Sequence, residues 1–273
     1  MHITTLGLST ELMIRRWSGE VLDRGDHQLV HTPDEPDFWM GNGLAVPPPA
    51  RGEDPEAWFA RWWGAFERAL PGCEHRALLV DGDVGAATAG AVTAAGWLMH
   101  RNVALTTVDL ATAPAPPGLL LRALDGERDW EQVAPLHLTS DEAEATPWNA
   151  GLPIDDSYRA FVRTRAAAKR AWVERGYGAW WGAFAGRSLM ATLGIVSDHG
   201  GTVARYQDVV THPACRRRGI ARALVVAAGK AALASGAERL VIVAHEKSDA
   251  LRLYRATGFV DADVYTELIR RPG

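Results

Sequence analysis

One stretch constrains this chain more than any other: Asp208-Val209-Val210-Thr211-His212-Pro213-Ala214-Cys215-Arg216-Arg217-Arg218-Gly219-Ile220-Ala221-Arg222. Val209, Val210 and Thr211 are β-branched and read as the end of a strand that stops at His212-Pro213. Three arginines follow, and then small residues, Gly219 and Ala221, at the mouth of a helix predicted over 219–234. The N–H groups of a first helical turn lack intrahelical partners and carry partial positive charge. Small residues there let a diphosphate approach the backbone closely. Arg217, Arg218 and Arg222 can add charge-assisted contacts. A strand–loop–helix unit of this kind predicts an α/β fold and an anion cradle.

The flanking sequence alternates to match. Helices are predicted over 129–138 and 156–175, and strands over 178–184, 188–196 and 202–210, with Asp198-His199-Gly200-Gly201 as a turn. The apolar run Leu240-Val241-Ile242-Val243-Ala244 reads as a strand buried on both faces. Ser248 is the expected N-cap of a helix through Ala256, with Gly258 past its end and a last strand over 262–269. The expected class is α/β, a mixed sheet flanked by helices, preceded by a smaller α/β domain.

A proline-rich break, Ala111-Thr112-Ala113-Pro114-Ala115-Pro116-Pro117-Gly118, reads as a connector. It divides the chain into 1–110, a linker 111–118, and 119–273. In the first part a strand is predicted over 38–46. Asp54-Pro55 starts a helix that puts Trp58, Trp62, Phe66 and Leu70 on one face. A strand over 77–80 and a small-residue helix over 85–96 follow. This order echoes 202–256 and suggests a degenerate internal repeat.

Composition excludes several classes. Apolar residues are 47% and charged residues 23% of the 273, as in an ordinary globular protein. A net charge of −4 gives no drive toward nucleic acid or an anionic membrane, so neither is an expected partner. Two cysteines build neither a disulfide scaffold nor a cysteine zinc site, and no histidine spacing suits a metal. The longest uncharged stretch, 84–99, is shorter than the ~18–20 residues of a membrane span and reads as a buried helix. The N-terminus lacks the order of a signal peptide, so the expected location is cytoplasmic. The heavy use of arginine and alanine suggests a GC-rich bacterial genome.

Arg216-Arg217-Arg218-Gly219-Ile220-Ala221 is similar to the acetyl-CoA loop Gln/Arg-x-x-Gly-x-Gly/Ala of the GNAT (Gcn5-related N-acetyltransferase) superfamily. Val209-Val210-Thr211-His212-Pro213 resembles the strand before that loop. Leu253-Tyr254-Arg255-Ala256-Thr257-Gly258-Phe259 resembles a second signature, Leu-Tyr-x-x-x-Gly-Phe. The resemblance spans about 119–270 and leaves the first part as, at most, a degenerate GNAT-like copy. It implies a mostly antiparallel GNAT-type sheet and an enzyme, an N-acetyltransferase moving an acetyl group directly from acetyl-CoA, its cosubstrate, to an amine. It further implies that Val209, Val210 and Thr211 lie along the pantetheine arm. Arg216, Arg217, Arg218, Gly219, Ile220, Ala221 and Arg222 would surround the diphosphate. Tyr254 would sit by the thioester sulfur, where a phenol can protonate the departing thiolate. Lys247 stands where the family often has asparagine, so one contact to pantetheine or acceptor is altered.

The base is less legible. Strand alternation puts Arg205, Gln207 and Val209 on one face and Asp208 on the other, unless a bulge turns Asp208 inward. Asp208, Glu246 and His245 are the candidates, beside deprotonation through water. Asp141-Glu142-Ala143-Glu144 would suit a cationic amine, whereas Arg205 would favour an anionic group on the acceptor. A zwitterionic acceptor reconciles the two. Trp58, Trp62 and Trp63 are expected to pack the first part; Trp148, Trp180 and Trp181 border the acceptor cleft or belong to the core. The expected partner is a small-molecule or peptide amine, with a homodimer left open. The alternative reading is a non-catalytic acyl-CoA sensor or interaction protein, suggested by the missing base and by Lys247.

Overall fold

The computed structural model describes residues 1–36, 38–143 and 153–271. The chain begins α1 (Leu6–Ser18), β1 (Glu20–Asp23), β2 (Gln28–His31), β3 (Gly43–Val46), α2 (Pro55–Ala69), β4 (Arg76–Val80), α3 (Gly85–Ala94) and β5 (Leu98–Thr107). It continues β6 (Leu120–Ala123), α4 (Glu127–Trp130), α5 (Val133–Ala143), α6 (Asp156–Glu174), β7 (Gly178–Ala185), β8 (Ser188–Val196) and β9 (Val203–Thr211). The last elements are α7 (Ile220–Ala234), β10 (Arg239–His245), α8 (Ala250–Arg255) and β11 (Val260–Arg270). The fold is mixed α/β, its strands mostly antiparallel and flanked by helices.

Two compact units divide the chain. The first holds Met1–Ala104, Val243–Ser248 and the residues from Asp261 on; the second holds Leu105–Ile242 and Asp249–Val260. The proline-rich segment 111–118 therefore lies inside the second unit rather than between the two. The C-terminal strand belongs with the first unit because of its pairing: Thr266 to Arg270 of β11 run antiparallel to Val80 to Arg76 of β4.

The two units share an element order and strand directions. In the first unit α1 precedes an antiparallel meander β1-β2-β3, then α2 and a strand β4 parallel to β3. In the second, α6 precedes the antiparallel meander β7-β8-β9, then α7 and a strand β10 parallel to β9. α3 and α8 follow at matching places.

Local chemistry accounts for most of these elements. Asp54 caps α2 by accepting from the Ala57 N–H at 3.1 Å, and Pro55 sits where a missing N–H is harmless. Trp58, Trp62, Phe66 and Leu70 are buried, as their spacing predicts, against Leu44, Val46, Leu78 and Val80. Each such side chain contributes about 1.5–3 kcal/mol of apolar burial. In the second unit Asp155 caps α6 through the Tyr158 N–H at 2.9 Å, and α6 buries Val162, Ala166, Lys169 and Trp172 along one stripe.

Three local expectations are corrected. Residues 39–41 form a 3-10 turn and the strand starts only at Gly43. The Asn42 side chain organises this turn, accepting from the Thr32 N–H and donating to the carbonyls of Glu35 and Phe38. α3 is not a buried helix, since only Thr88 and Val92 are buried along it. α8 starts after Asp249, and no side chain caps it, Ser248 included.

Candidate functional site

The site is built from the second unit. α7 starts at Gly219, whose φ of +78° is left-handed, and no described side chain caps the helix. A Cβ on Gly219 would meet open space, so glycine is required by the backbone turn and not by crowding from the protein. Arg217 is also left-handed at φ +63°. Left-handed residues let successive peptide N–H groups converge on an anion. Arg217, Arg218 and Arg222 are exposed around this opening, while Ile220, Ala223, Leu224 and Val225 anchor the helix in the core. Arg216 differs from its neighbours: its guanidinium donates to Ser140 Oγ of α5 at 2.9 Å and to the Thr211 carbonyl at 3.4 Å. Its side chain braces the loop.

Beside the loop, the parallel ladder between β9 and β10 holds only Arg239–Val203, Leu240–Ala204 and Val241–Arg205. β9 runs on to Thr211, paired there with Ala191 of β8 alone among the described residues. Its other edge is therefore open along Val209 and Thr211, where their main-chain groups can bind an extended ligand arm.

The same strand carries a bulge. Gln207 lies opposite Gly194 and Val210 opposite Thr192, so Asp208 and Val209 together face Leu193. Asp208 takes a left-handed φ of +47°. The bulge changes the alternation expected from sequence: Asp208 turns toward α5 and α6 and forms an ion pair with Lys169. Its side chain is 38% exposed against 8% for Lys169. Protein nonetheless surrounds it closely enough that burial, pushing its carboxyl up, is the largest single influence. Lys169, His137 and Arg165 outweigh that and hold the carboxyl well below the usual range. His137 of α5 is pushed down to about 3, first by burial and then by Lys169, so it is neutral. Asp141 accepts from the Tyr158 hydroxyl at 3.0 Å, and burial raises its carboxyl. Glu144 and Trp148, expected near the acceptor, lie outside the described residues.

Tyr254 of α8 is 5% exposed, and its hydroxyl has no hydrogen-bond partner among the described residues. Burial pushes the phenol well above its ordinary value although the Arg205 charge pulls the other way, so it keeps its proton at neutral pH. Trp180 is core, 1% exposed, and Trp181 is half-buried.

The remaining expected residues fall in the first unit. Glu246 is held by Arg101 at 3.2 Å, which also bonds Asp83 at 2.8 Å, and Lys247 is exposed. The first unit's own counterpart of the cradle is closed. Asp54 occupies the start of α2 and Pro55 has no N–H. β3 stays paired with β4 to its end, where the Asp81 N–H donates to the Val46 carbonyl at 2.9 Å.

Residues 143–259 match the model of the acetyltransferase (GNAT) family. This part of the chain is a GNAT domain. Similar folds occur in a GCN5-related N-acetyltransferase from Kribbella flavida (17% identity, 97% of this chain and 94% of that one, TM-score 0.62). A conserved protein of unknown function from Staphylococcus epidermidis gives 11% identity over 93% and 95% of the chains, with a TM-score of 0.68. A tandem GNAT protein from the clavulanic acid biosynthesis pathway gives 14% identity over 80% and 70%, with a TM-score of 0.50. No curated protein matches the sequence. The fold likeness extends beyond the GNAT domain into the first unit, where the repeat lies.

Two groups beside Asp208, Lys169 and His137, were not legible in the sequence. Lys169 had a usable signal. It follows Val162 and Ala166 at helical spacing and precedes Trp172, so a charge stands in an apolar stripe. His137 had none, because its neighbours come from other elements.

Proposed function

We propose that the GNAT domain is an acetyl-CoA-dependent N-acetyltransferase passing its acetyl group directly to an amine. The observation that carries this reading is the parting of β9 from β10 after Arg205–Val241, beside an uncapped, left-handed helix start. The two together would give a slot open along a strand edge and closed by an anion cradle. Acetyl-CoA would supply an acetyl thioester. The peptide N–H groups at 217–221, with Arg217, Arg218 and Arg222, would hold its diphosphate, and Val209 to Thr211 its pantetheine arm. As the amine nitrogen bonds the carbonyl carbon and the C–S bond breaks, Tyr254 donates its proton to the sulfur. Asp208 is ionised and suited to bind an ammonium. Its depressed carboxyl is a poor acceptor of that ammonium's proton, which therefore leaves through water.

The acceptor under this reading is a small-molecule or peptide amine. Among the described residues no helix is long and apolar enough to cross a membrane. Cys73 and Cys215 are both free thiols, which accords with a reducing, cytoplasmic setting. The sensor alternative has no observation of its own. The test is release of free CoA thiol from acetyl-CoA in the presence of a panel of primary amines. Turnover with any of them supports the reading; binding of acetyl-CoA without thiol release from the whole panel contradicts it.

A further inference from the structure

We propose that Lys169 is a positioning residue of the acceptor side, fixing Asp208 so that its second carboxylate oxygen receives the ammonium group of the amine. This rests on the N-acetyltransferase reading above and goes on to name the group that docks the acceptor.

Lys169 lies in the buried stripe of α6 and is 7% exposed. A bare ammonium there is strongly disfavoured, so it must hold an anion. Its partner is Asp208 Oδ2, and the ammonium also lies 5.6 Å from the centre of the Trp180 ring. Asp208 Oδ1 has no partner among the described residues. The carboxylate thus has one oxygen anchored by Lys169, on a side chain that is 38% exposed.

The choice of cation matters. Of 29 basic side chains only Lys169, Lys230 and Lys247 are lysines. An arginine at 169 could engage both carboxylate oxygens as a fork. Lysine, a compact point charge, binds one and leaves the other. The backbone is arranged to the same end: Asp208 adopts the left-handed region at the bulge where its side chain meets Lys169.

Charged and polar groups of both helices surround the pair. α5 contributes His137, which is neutral, and Asp141; α6 contributes Arg165 and the Tyr158 hydroxyl that binds Asp141. Two carboxylates therefore face two cations, Lys169 and Arg165. A cation added at Asp208 Oδ1 meets an anion that Lys169 and Arg165 already hold ionised.

The experiment follows the side-chain carboxyl carbon of Asp208 by 13C NMR in the full chain, assigned with Asp208→Asn, with methylammonium chloride as the probe. In the wild type the signal should remain that of an ionised carboxylate well below the pH at which ordinary aspartates titrate, and the probe should shift it. In Lys169→Met the titration should move upward and the probe should bind about tenfold more weakly. In Lys169→Arg the carboxylate should stay ionised while the probe shift is lost, because both oxygens are taken. A merely structural lysine would be replaced by arginine without that loss. A wild-type signal that the probe leaves unmoved, or a probe response in Lys169→Arg equal to the wild type's, would overturn the proposal. Acetyl-CoA binding is measured on every variant: its absence from the wild type counts against the acetyltransferase reading itself, and its retention confirms that each variant is folded.

Discussion

Tyr206 donates its phenol hydrogen to the carbonyl of Val225 at 2.7 Å. The bond ties β9 to the early part of α7, the two elements that flank loop 212–219. The Tyr206 ring also packs edge-on against Phe259, next to Tyr254. The cradle, the open strand edge and the phenol of Tyr254 are thereby set on one rigid frame.

Gly229→Ala tests that frame. A Cβ at 229 would stand 2.1 Å from Tyr206 Oη, 2.5 Å from Leu110 Cδ1 and 2.8 Å from Leu240 Cδ1. Alanine gains up to about 1 kcal/mol of helix propensity, but overpacking of this severity costs about 1–3 kcal/mol. Packing wins. The denaturation midpoint should fall with the m-value unchanged; a midpoint at or above the wild type's would show that Tyr206 is not fixed as described.

Tyr254→Phe removes a proton donor and leaves the ring. Loss of a general acid costs about 10²–10⁴ in kcat, while the affinity for acetyl-CoA should hold to within a few-fold. Because burial keeps the phenol protonated beyond its ordinary range, the wild-type rate should show no alkaline limb from this group up to about pH 10. A variant with unchanged kcat would assign the proton to another group.

The GNAT domain should bind one acetyl-CoA per chain and the first unit none. Asp54 and Pro55 occupy the start of α2, and the β3–β4 ladder runs to the end of β3, so the first unit's counterpart of the cradle is filled. Calorimetric titration should give a stoichiometry near one. A second site of comparable affinity would mean that the repeat kept its ligand as well as its topology.

The histidines set an acid limb of stability. Burial holds His137 down to about 3 and His100, which also faces His245 and Arg271, down to about 4. The unfolded chain takes up protons at these imidazoles below about pH 6.5 and the native chain does not. Stability is therefore full above that pH and is lost progressively as pH falls toward 4. The melting temperature of His100→Gln/His137→Gln should drop less between pH 7 and pH 5 than the wild type's. An equal drop would place the loss elsewhere.

What could be read from sequence divides along a physical line. The α2 start, the buried aromatic face from Trp58 to Leu70, and the strand–loop–helix around Gly219 are written in residues a few positions apart. α1 was not legible, because what caps it is distant. Asp81 accepts from the N–H and hydroxyl groups of Thr4 and Thr5, and Asp263 accepts from the N–H groups of Leu6 and Gly7. The unit boundaries were hidden for the same reason. Nothing local in Thr266 to Arg270 says that the strand pairs with β4, far back in the chain. The bulge at Asp208 is similar: alternation predicts one face, and only the register against β8 shows the shift.

The opening at Gly219 is the proposed site of acetyl-CoA. The most direct test is thermal stability of the wild type and Gly219→Glu, each with and without acetyl-CoA. Ligand at about 100 times its dissociation constant should stabilise the wild type by roughly 2.7 kcal/mol. In the variant, a carboxylate at the helix mouth should abolish that gain. Its unliganded stability should fall by only about 1–2 kcal/mol for the left-handed backbone, since a Cβ there meets open space. An equal ligand gain in both proteins, or none in the wild type, would contradict the claim.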